Sequence, residues 1–222
     1  TPTAVRALDM MRLVRDKGSG ALFTGPAGCG KTTIIQRFLD DDREARHLTF
    51  SSASRNLSSV LKSVAETLGV YLDGRSTYEI NENVEHWLSR GADGRRGPFS
   101  FSPTVIYRGP YVLFDEIQNI DLSAIRQLLH FNDKYGLPII MFGNEHTMKR
   151  TRANEAAFDQ GDDRIRFRDR IERTRQDIAA ICDGWQIQDA TARAWVLTYA
   201  LKTTLRQLFA FLSIARDLAA DG

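Results

Sequence analysis

The segment GPAGCGKT, residues 25–32, places three glycines around a turn and follows them with Lys31 and Thr32. Glycine lets the backbone curl until its N–H groups converge. Convergent N–H groups at the start of a helix bind anionic oxygens. The pattern G-x-x-x-x-G-K-[ST] is matched in full. It predicts a loop of Gly25, Pro26, Ala27, Gly28, Cys29 and Gly30, continued by Thr33, wrapped around the phosphates of a nucleotide. Lys31 would reach the β and γ phosphates, and the Thr32 hydroxyl would ligate magnesium. The bland reading is a glycine turn before a helix with a surface lysine. Against it, the loop follows the apolar run ALFT (21–24) and opens a helix-like pattern, the context the motif requires.

YVLFDE (111–116) carries a second group. A strand buried to its tip rarely ends in two carboxylates without something to neutralise them. Magnesium is such a partner: Asp115 would hold it, largely through water, and Glu116 would polarise an attacking water. A helix-capping acidic turn is the plainer alternative. In IIMFGN (139–144), Asn144 falls at the end of a further apolar run, where it can touch the γ-phosphate or that water. Gly-Asn is also a common turn. RIRFRDRIERTR (164–175) offers arginines for the charge that develops on a leaving γ-phosphate, supplied from a neighbouring subunit. Read as a helix, it sends Arg168 and Arg170 to different sides, and Arg170 is the favoured finger. A solvated helix face, with Asp162, Asp163, Asp169 and Glu172 as ion-pair partners, is the alternative. Arg206, in TTLRQL, opens the last helical pattern and reaches the phosphates in one reading and solvent in the other.

These residues need a scaffold. The chain of 222 residues fits one large domain, or one domain with a small appendage. Its 30 basic and 28 acidic side chains leave a formal net charge of +2, so any nucleic-acid contact must come from local patches. Cys29 and Cys182, far apart, make no disulfide framework and suit a reducing, cytoplasmic setting. No apolar run approaches the roughly eighteen residues of a membrane span, and the charged start shows no secretory signal. The chain does not begin with Met, which fits an excised domain with parts missing at either end. No internal repeat or low-complexity tract is visible.

Helical spacing is predicted over 4–16, 31–39, 56–69 and 79–89, and again from Asp121 or Leu122. Strands are predicted at 21–24, 47–50, 111–116 and 137–143. Strands alternating with helices imply a mostly parallel sheet flanked by helices, an α/β fold. Residues 91–110 read as a loop. After Asp163 the strand signals stop, and the rest reads as helices only. The expected division is an α/β core over 1–175 and a small C-terminal helical lid over 176–222.

In these motifs the chain resembles the AAA+ superfamily of P-loop ATPases, and within it the transposition-regulator group (the phage Mu B, TnsC, TniB and IstB types). GPAGCGKTT, VLFDEIQNI, IIMFGNE, FRDRI and LRQL carry the resemblance, in order, over residues 4–216. It implies ATP and magnesium at Lys31, Thr32 and Asp115, hydrolysis by Glu116, and a first sensor at Asn144. It further implies a trans-acting finger at Arg170 and a second sensor at Arg206. Such proteins assemble into ATP-dependent helical filaments or rings on double-stranded DNA, present it to a transposase and are released by hydrolysis. The setting would be a bacterial or phage-encoded, nucleoid-associated protein. The helix-turn-helix region that precedes the ATPase in the Mu B type is not readable here.

In this superfamily the loops after the second strand and before the third face a central channel. Here they hold Arg55, and Arg95 and Arg96 beside Phe99 and Phe101. Lys149 and Arg150 form a further basic patch. Arginine beside aromatics suits sequence-independent backbone contact and stacking. Two other classes share the phosphate-site residues: a nucleotide-switched interaction ATPase without DNA, and an initiator- or loader-type ATPase. A metabolic kinase would need a second constellation for its acceptor, and none is readable.

Overall fold

Strands in the order β2-β3-β4-β1-β5 form one sheet, parallel throughout. This computed structural model describes residues 1–72, 76–90, 109–145 and 165–220. The chain begins with α1 (Pro2–Lys17), β1 (Gly20–Thr24), α2 (Lys31–Asp41) and β2 (Ala45–Thr49). Helices α3 (Leu57–Leu68) and α4 (Thr77–Arg90) precede β3 (Tyr111–Asp115), and α5 (Leu122–Tyr135) joins β3 to β4 (Ile139–Gly143). Then come β5 (Ile165–Arg170), α6 (Arg175–Gly184), α7 (Ala190–Lys202) and α8 (Leu205–Ala220).

The central strands β1, β3 and β4 are buried at every residue. Both sheet faces are covered there, which is why these strands are near-continuous apolar runs rather than alternating ones. Phe23 on β1 stacks on Phe142 of β4, with ring centroids 5.0 Å apart. The flanking helices show the complementary spacing. Ala7, Met11 and Val14 line the inner face of α1, and Val60, Leu61, Val64 and Leu68 that of α3. Asn56 caps α3 by accepting the Ser59 N–H at 2.9 Å.

One expectation is corrected. Residues 165–170 form a strand, not a helix, paired in parallel with β1. The segment alternates: Ile165, Phe167 and Asp169 are buried or half-buried, and Arg166, Arg168 and Arg170 are exposed. That is a period of two, and the open edge of β1 supplies the backbone partner. Arg168 and Arg170 therefore share a face instead of parting around a helix. The second strand also starts earlier than expected, at Ala45.

Beyond β5 a second hydrophobic cluster forms from Ile178, Ile181 and Cys182 on α6, Val196 and Ala200 on α7, and Leu208 and Leu212 on α8. It is tied to the sheet domain at both ends. Asp177, at the third position of α6, accepts the Thr3 N–H (2.9 Å) and hydroxyl (2.7 Å) from α1. Arg173 donates through Nη1 to the carbonyls of Ala200 and Thr203 at the end of α7. These are carbonyls that a helix C-terminus leaves without intrahelical partners, and a cation there also meets the negative end of the dipole.

Candidate functional site

All strands run the same way, so the ends of β1, β3 and β4 lie along one edge, where open parallel sheets bind ligands. The loop 25–30 leaves β1 there and enters α2. Gly28 (φ 72°) and Gly30 (φ 103°) take left-handed conformations that side chains resist. A Cβ on Gly28 would also stand 2.7 Å from the Thr204 Cβ. Lys31, buried to 8 % exposure, folds back so that its ammonium donates to the carbonyls of Gly25 (2.9 Å) and Pro26 (3.1 Å). Thr32 and Thr33 are exposed at the helix entry.

Asp115 ends β3 and is only 4 % exposed. Burial pushes its carboxyl above the usual range, and the Glu116 charge adds to this. The Glu116 N–H, donated to Oδ1 at 2.8 Å, and the charges of His47 and Lys31 act against it. His47 Nε2 stands 4.0 Å from Oδ2, and burial lowers the His47 pKa. Glu116 follows with φ 59° and ψ 37°, a left-handed backbone in a residue that is not glycine. Such a conformation costs about 1–2 kcal/mol, and outliers of this kind cluster at functional sites. The Asn119 N–H closes the turn on the Glu116 carbonyl at 2.9 Å.

A cleft of about 750 Å³ opens along this edge, a size suited to a nucleotide-sized ligand. The phosphate-loop segment from Ala27 to Thr33, Glu116 and Arg206 face it together. Arg206 comes from the first turn of α8. The far end of the cleft is formed by Thr3, Asp177, Ile181 and Phe209, so α1 and the C-terminal helices complete a site that the loop begins. The C-terminal helical region touches the loop directly: the Leu205 N–H donates to the Gly28 carbonyl at 3.1 Å.

Other expected residues lie outside the cleft of their own chain. Asn144 follows β4, and its N–H donates to Gln118 Oε1 at 3.2 Å. Arg170 is exposed at the end of β5 and pairs with Glu145 and Glu172. Arg55 is exposed and pairs with Asp121 at 2.9 Å. Arg95, Arg96, Phe99, Phe101, Lys149 and Arg150 lie outside the described residues. Gln118, Arg173 and Asp177 are site-supporting residues that the motif reading missed. Asp177 had a readable signal: Thr174-x-x-Asp177 is a capping box, and both of its hydrogen bonds form.

The donor set fits magnesium. Among the described residues no three His, Cys, Asp or Glu side chains cluster. Magnesium needs no such cage, because it keeps waters and takes one or two protein groups beside substrate phosphates. Asp115, a buried carboxylate whose ionisation is resisted by burial, and the Thr32 hydroxyl would hold it. A bound dication reverses the sign of the field at such a carboxylate. Among the described residues no helix is long and apolar enough to cross a membrane.

Comparison with known proteins agrees with this geometry. No curated protein matches the chain. Among solved structures, the Aeropyrum pernix ORC2 protein in its ADPNP-ADP complexes is similar, with a TM-score of 0.52 at 13% sequence identity. The likeness covers 82% of this chain and 49% of that one, so the chain spans about half of that protein's length. At that identity the likeness concerns the fold. Residues 14–150 match the AAA domain family, a span that contains the phosphate loop, both carboxylates of β3 and Asn144. With that match across more than half of its length and a phosphate loop in place at the head of a parallel sheet, the chain belongs to the AAA domain family of P-loop nucleotide-binding proteins.

Proposed function

We propose that this chain is an ATPase that assembles on double-stranded DNA with ATP and magnesium bound, regulates a transposase from that assembly, and leaves DNA after hydrolysis. The observation that carries the ATPase part is one cleft faced by Lys31, Thr32, Glu116 and Arg206. Lys31 exchanges its loop carbonyls for the β and γ phosphates, and the loop N–H groups orient them. Thr32 and Asp115 would hold magnesium, which would supply positive charge against the phosphates. Glu116 accepts a proton from the attacking water. Asn144 reads the γ-phosphate end, and Arg206 follows it from the lid (176–222), which works against the core (1–175). Arg170, exposed and away from its own cleft, acts on the site of a neighbouring subunit in a ring or filament. Nucleotide complexes of the Aeropyrum pernix ORC2 protein, which shares the fold, support the choice of ligand.

The DNA and transposase parts rest on the likeness of VLFDEIQNI, IIMFGNE and FRDRI to the transposition-regulator group. Arg55 is the described residue proposed for DNA contact, with Arg95, Arg96, Lys149 and Arg150 beside it in sequence-independent binding. The setting that follows is cytoplasmic and nucleoid-associated. The fold likeness to ORC2 favours one second reading, an initiator- or loader-type ATPase that places another machine on DNA.

Electron microscopy with duplex DNA, with and without a non-hydrolysable ATP analogue, tests the assembly. Filaments or rings that need both support the proposal, and stimulation of a transposase separates it from the loader reading. Oligomers that form with nucleotide and ignore DNA would replace it with a nucleotide-switched interaction ATPase. Arg170→Ala is expected to hydrolyse ATP poorly in its own assemblies. Mixing it with Lys31→Ala should restore part of the activity, because intact interfaces then form. Normal assembly without rescue would remove the trans role.

A further inference from the structure

Gln118 sits in the short 3-10 turn Ile117–Asn119 directly after the left-handed Glu116. Its amide is used at both ends. Nε2 donates to Oε2 of Glu116, and Oε1 accepts the Asn144 N–H at 3.2 Å. One side chain therefore joins the carboxylate after β3 to the backbone that ends β4. The turn itself is anchored at a third strand: Asn119 Nδ2 donates to the Phe50 carbonyl, just past β2, at 2.8 Å. Glu116 lines the cleft in this arrangement.

From these bonds we infer that Gln118 is a positioning residue for hydrolysis. It holds the Glu116 carboxylate in the cleft and couples its position to the end of β4. The inference rests on the ATPase reading above, and it adds a residue and a coupling to it. The physical need is plain. Glu116 is a long side chain on a strained backbone, and a freely rotating carboxylate is a poor base because few of its rotamers meet the water. A hydrogen bond to Oε2 fixes the rotamer and leaves Oε1 to take the proton. Because the same amide is bonded to the Asn144 N–H, movement at the end of β4 when a γ-phosphate arrives is passed to Glu116. Glutamine suits this role as glutamate would not: a neutral amide donates at one end and accepts at the other, whereas a second carboxylate would repel Glu116.

The test uses Gln118→Met, which keeps the length and removes both polar atoms, and Gln118→Glu, which keeps the shape and removes the donor. A hydrogen bond to a charged group, lost from the transition state, predicts a kcat lower by roughly 10- to 100-fold in Gln118→Met. KM and the affinity for a non-hydrolysable analogue should stay within about twofold, since ground-state binding is untouched. In Gln118→Glu the donor is replaced by a carboxylate that repels Glu116, so kcat should fall at least as far as in Gln118→Met. Amide exchange in the nucleotide-free protein gives a readout independent of activity: the Asn144 N–H should lose protection in Gln118→Met while core strands keep theirs. Parent-like kcat in Gln118→Met overturns the inference, as does a raised KM at unchanged kcat or unchanged exchange at Asn144. A parent protein that neither binds nor hydrolyses ATP would sink the ATPase reading, and Asn144 exchange would still decide whether the Gln118 bridge exists.

Discussion

Asp115 is a buried carboxylate and Glu85 a half-buried one, and their surroundings push them in opposite directions. At Asp115 burial dominates and the pKa rises: among the described residues one backbone N–H and the charges of His47 and Lys31 oppose it, and the Glu116 charge adds to it. At Glu85, on α4, burial also pushes upward, but hydrogen bonds from Lys134, Tyr135 and Asn81 outweigh it and hold the group at about 2. The flank formed by α4 and α5 is electrically complete. The edge that carries the phosphate loop is not: it has an under-partnered carboxylate, a left-handed glutamate and a lysine resting on its own loop. A finished network stabilises the folded protein. An unfinished one leaves free energy for a ligand to supply, which is what distinguishes a binding edge from a structural one.

The strongest way to break this contrast is at Glu116. Glu116→Gln should keep nucleotide bound and slow turnover by roughly 10²- to 10⁴-fold, the usual worth of a general base. Turnover equal to the parent's in a steady-state assay would remove Glu116 from the chemistry. Lys31→Ala comes next. Loss of a charge-assisted contact to phosphate should weaken binding about 10- to 150-fold, and unchanged affinity in calorimetry would reject the phosphate-loop assignment.

Asp177→Ala probes the joint between α1 and α6. Asp177 is 3 % exposed and accepts from Thr3 and Thr174. The cap and the stranded donors together predict a loss of about 2 kcal/mol, or about 4–8 °C in Tm for a chain of this size. A variant with the parent's melting temperature would show that this joint holds nothing.

Asp115→Asn and Glu85→Gln sharpen the comparison most directly. The folded-state pKa of Asp115 is raised, so its ionisation costs stability as pH rises through that value. Asparagine mimics the protonated form, and the free variant should melt no lower than the parent at neutral pH. Its gain from magnesium-nucleotide, about 2.7 kcal/mol for the parent at a hundred times Kd, should largely vanish. Glu85 has the reverse sign. Its stabilisation is present above 4.5 and is lost as pH falls from there toward about 2. Glu85→Gln should therefore cost about 1 kcal/mol at neutral pH, after allowance for solvent screening of the Lys134 pair. At about pH 2 and below it should match the parent. Equal acid profiles for the two proteins in thermal scans would refute the assignment.

Much of the site was legible locally because its signals are local. Residues 25–33 announce a phosphate loop by glycine spacing, and YVLFD shows its burial by an unbroken apolar run. Asp115 and Glu116 are recognisable because carboxylates at the tip of such a strand need a partner. The helical reading of 164–175 failed for a physical reason. Arginines at every second position look like a solvated face at either period, and the strand exists only because β1 offers an open edge. Gln118 was visible as a letter in DEIQNI but not as a bridge, since its second partner lies 26 residues away.

The amino-acid order by itself determined the chemistry at hand: a glycine turn able to gather phosphate, a lysine and a hydroxyl beside it, and acids at the end of an apolar strand. Those properties depend on residues within one or two turns of each other. Only the tertiary structure decided which groups meet. It set β1 beside β4 and β5, placed Arg206 in the same cleft as Lys31, and turned Arg170 outward. It also made Asp115 and Glu85 differ, because a carboxylate's ionisation depends on which distant donors and how much water the fold leaves within reach.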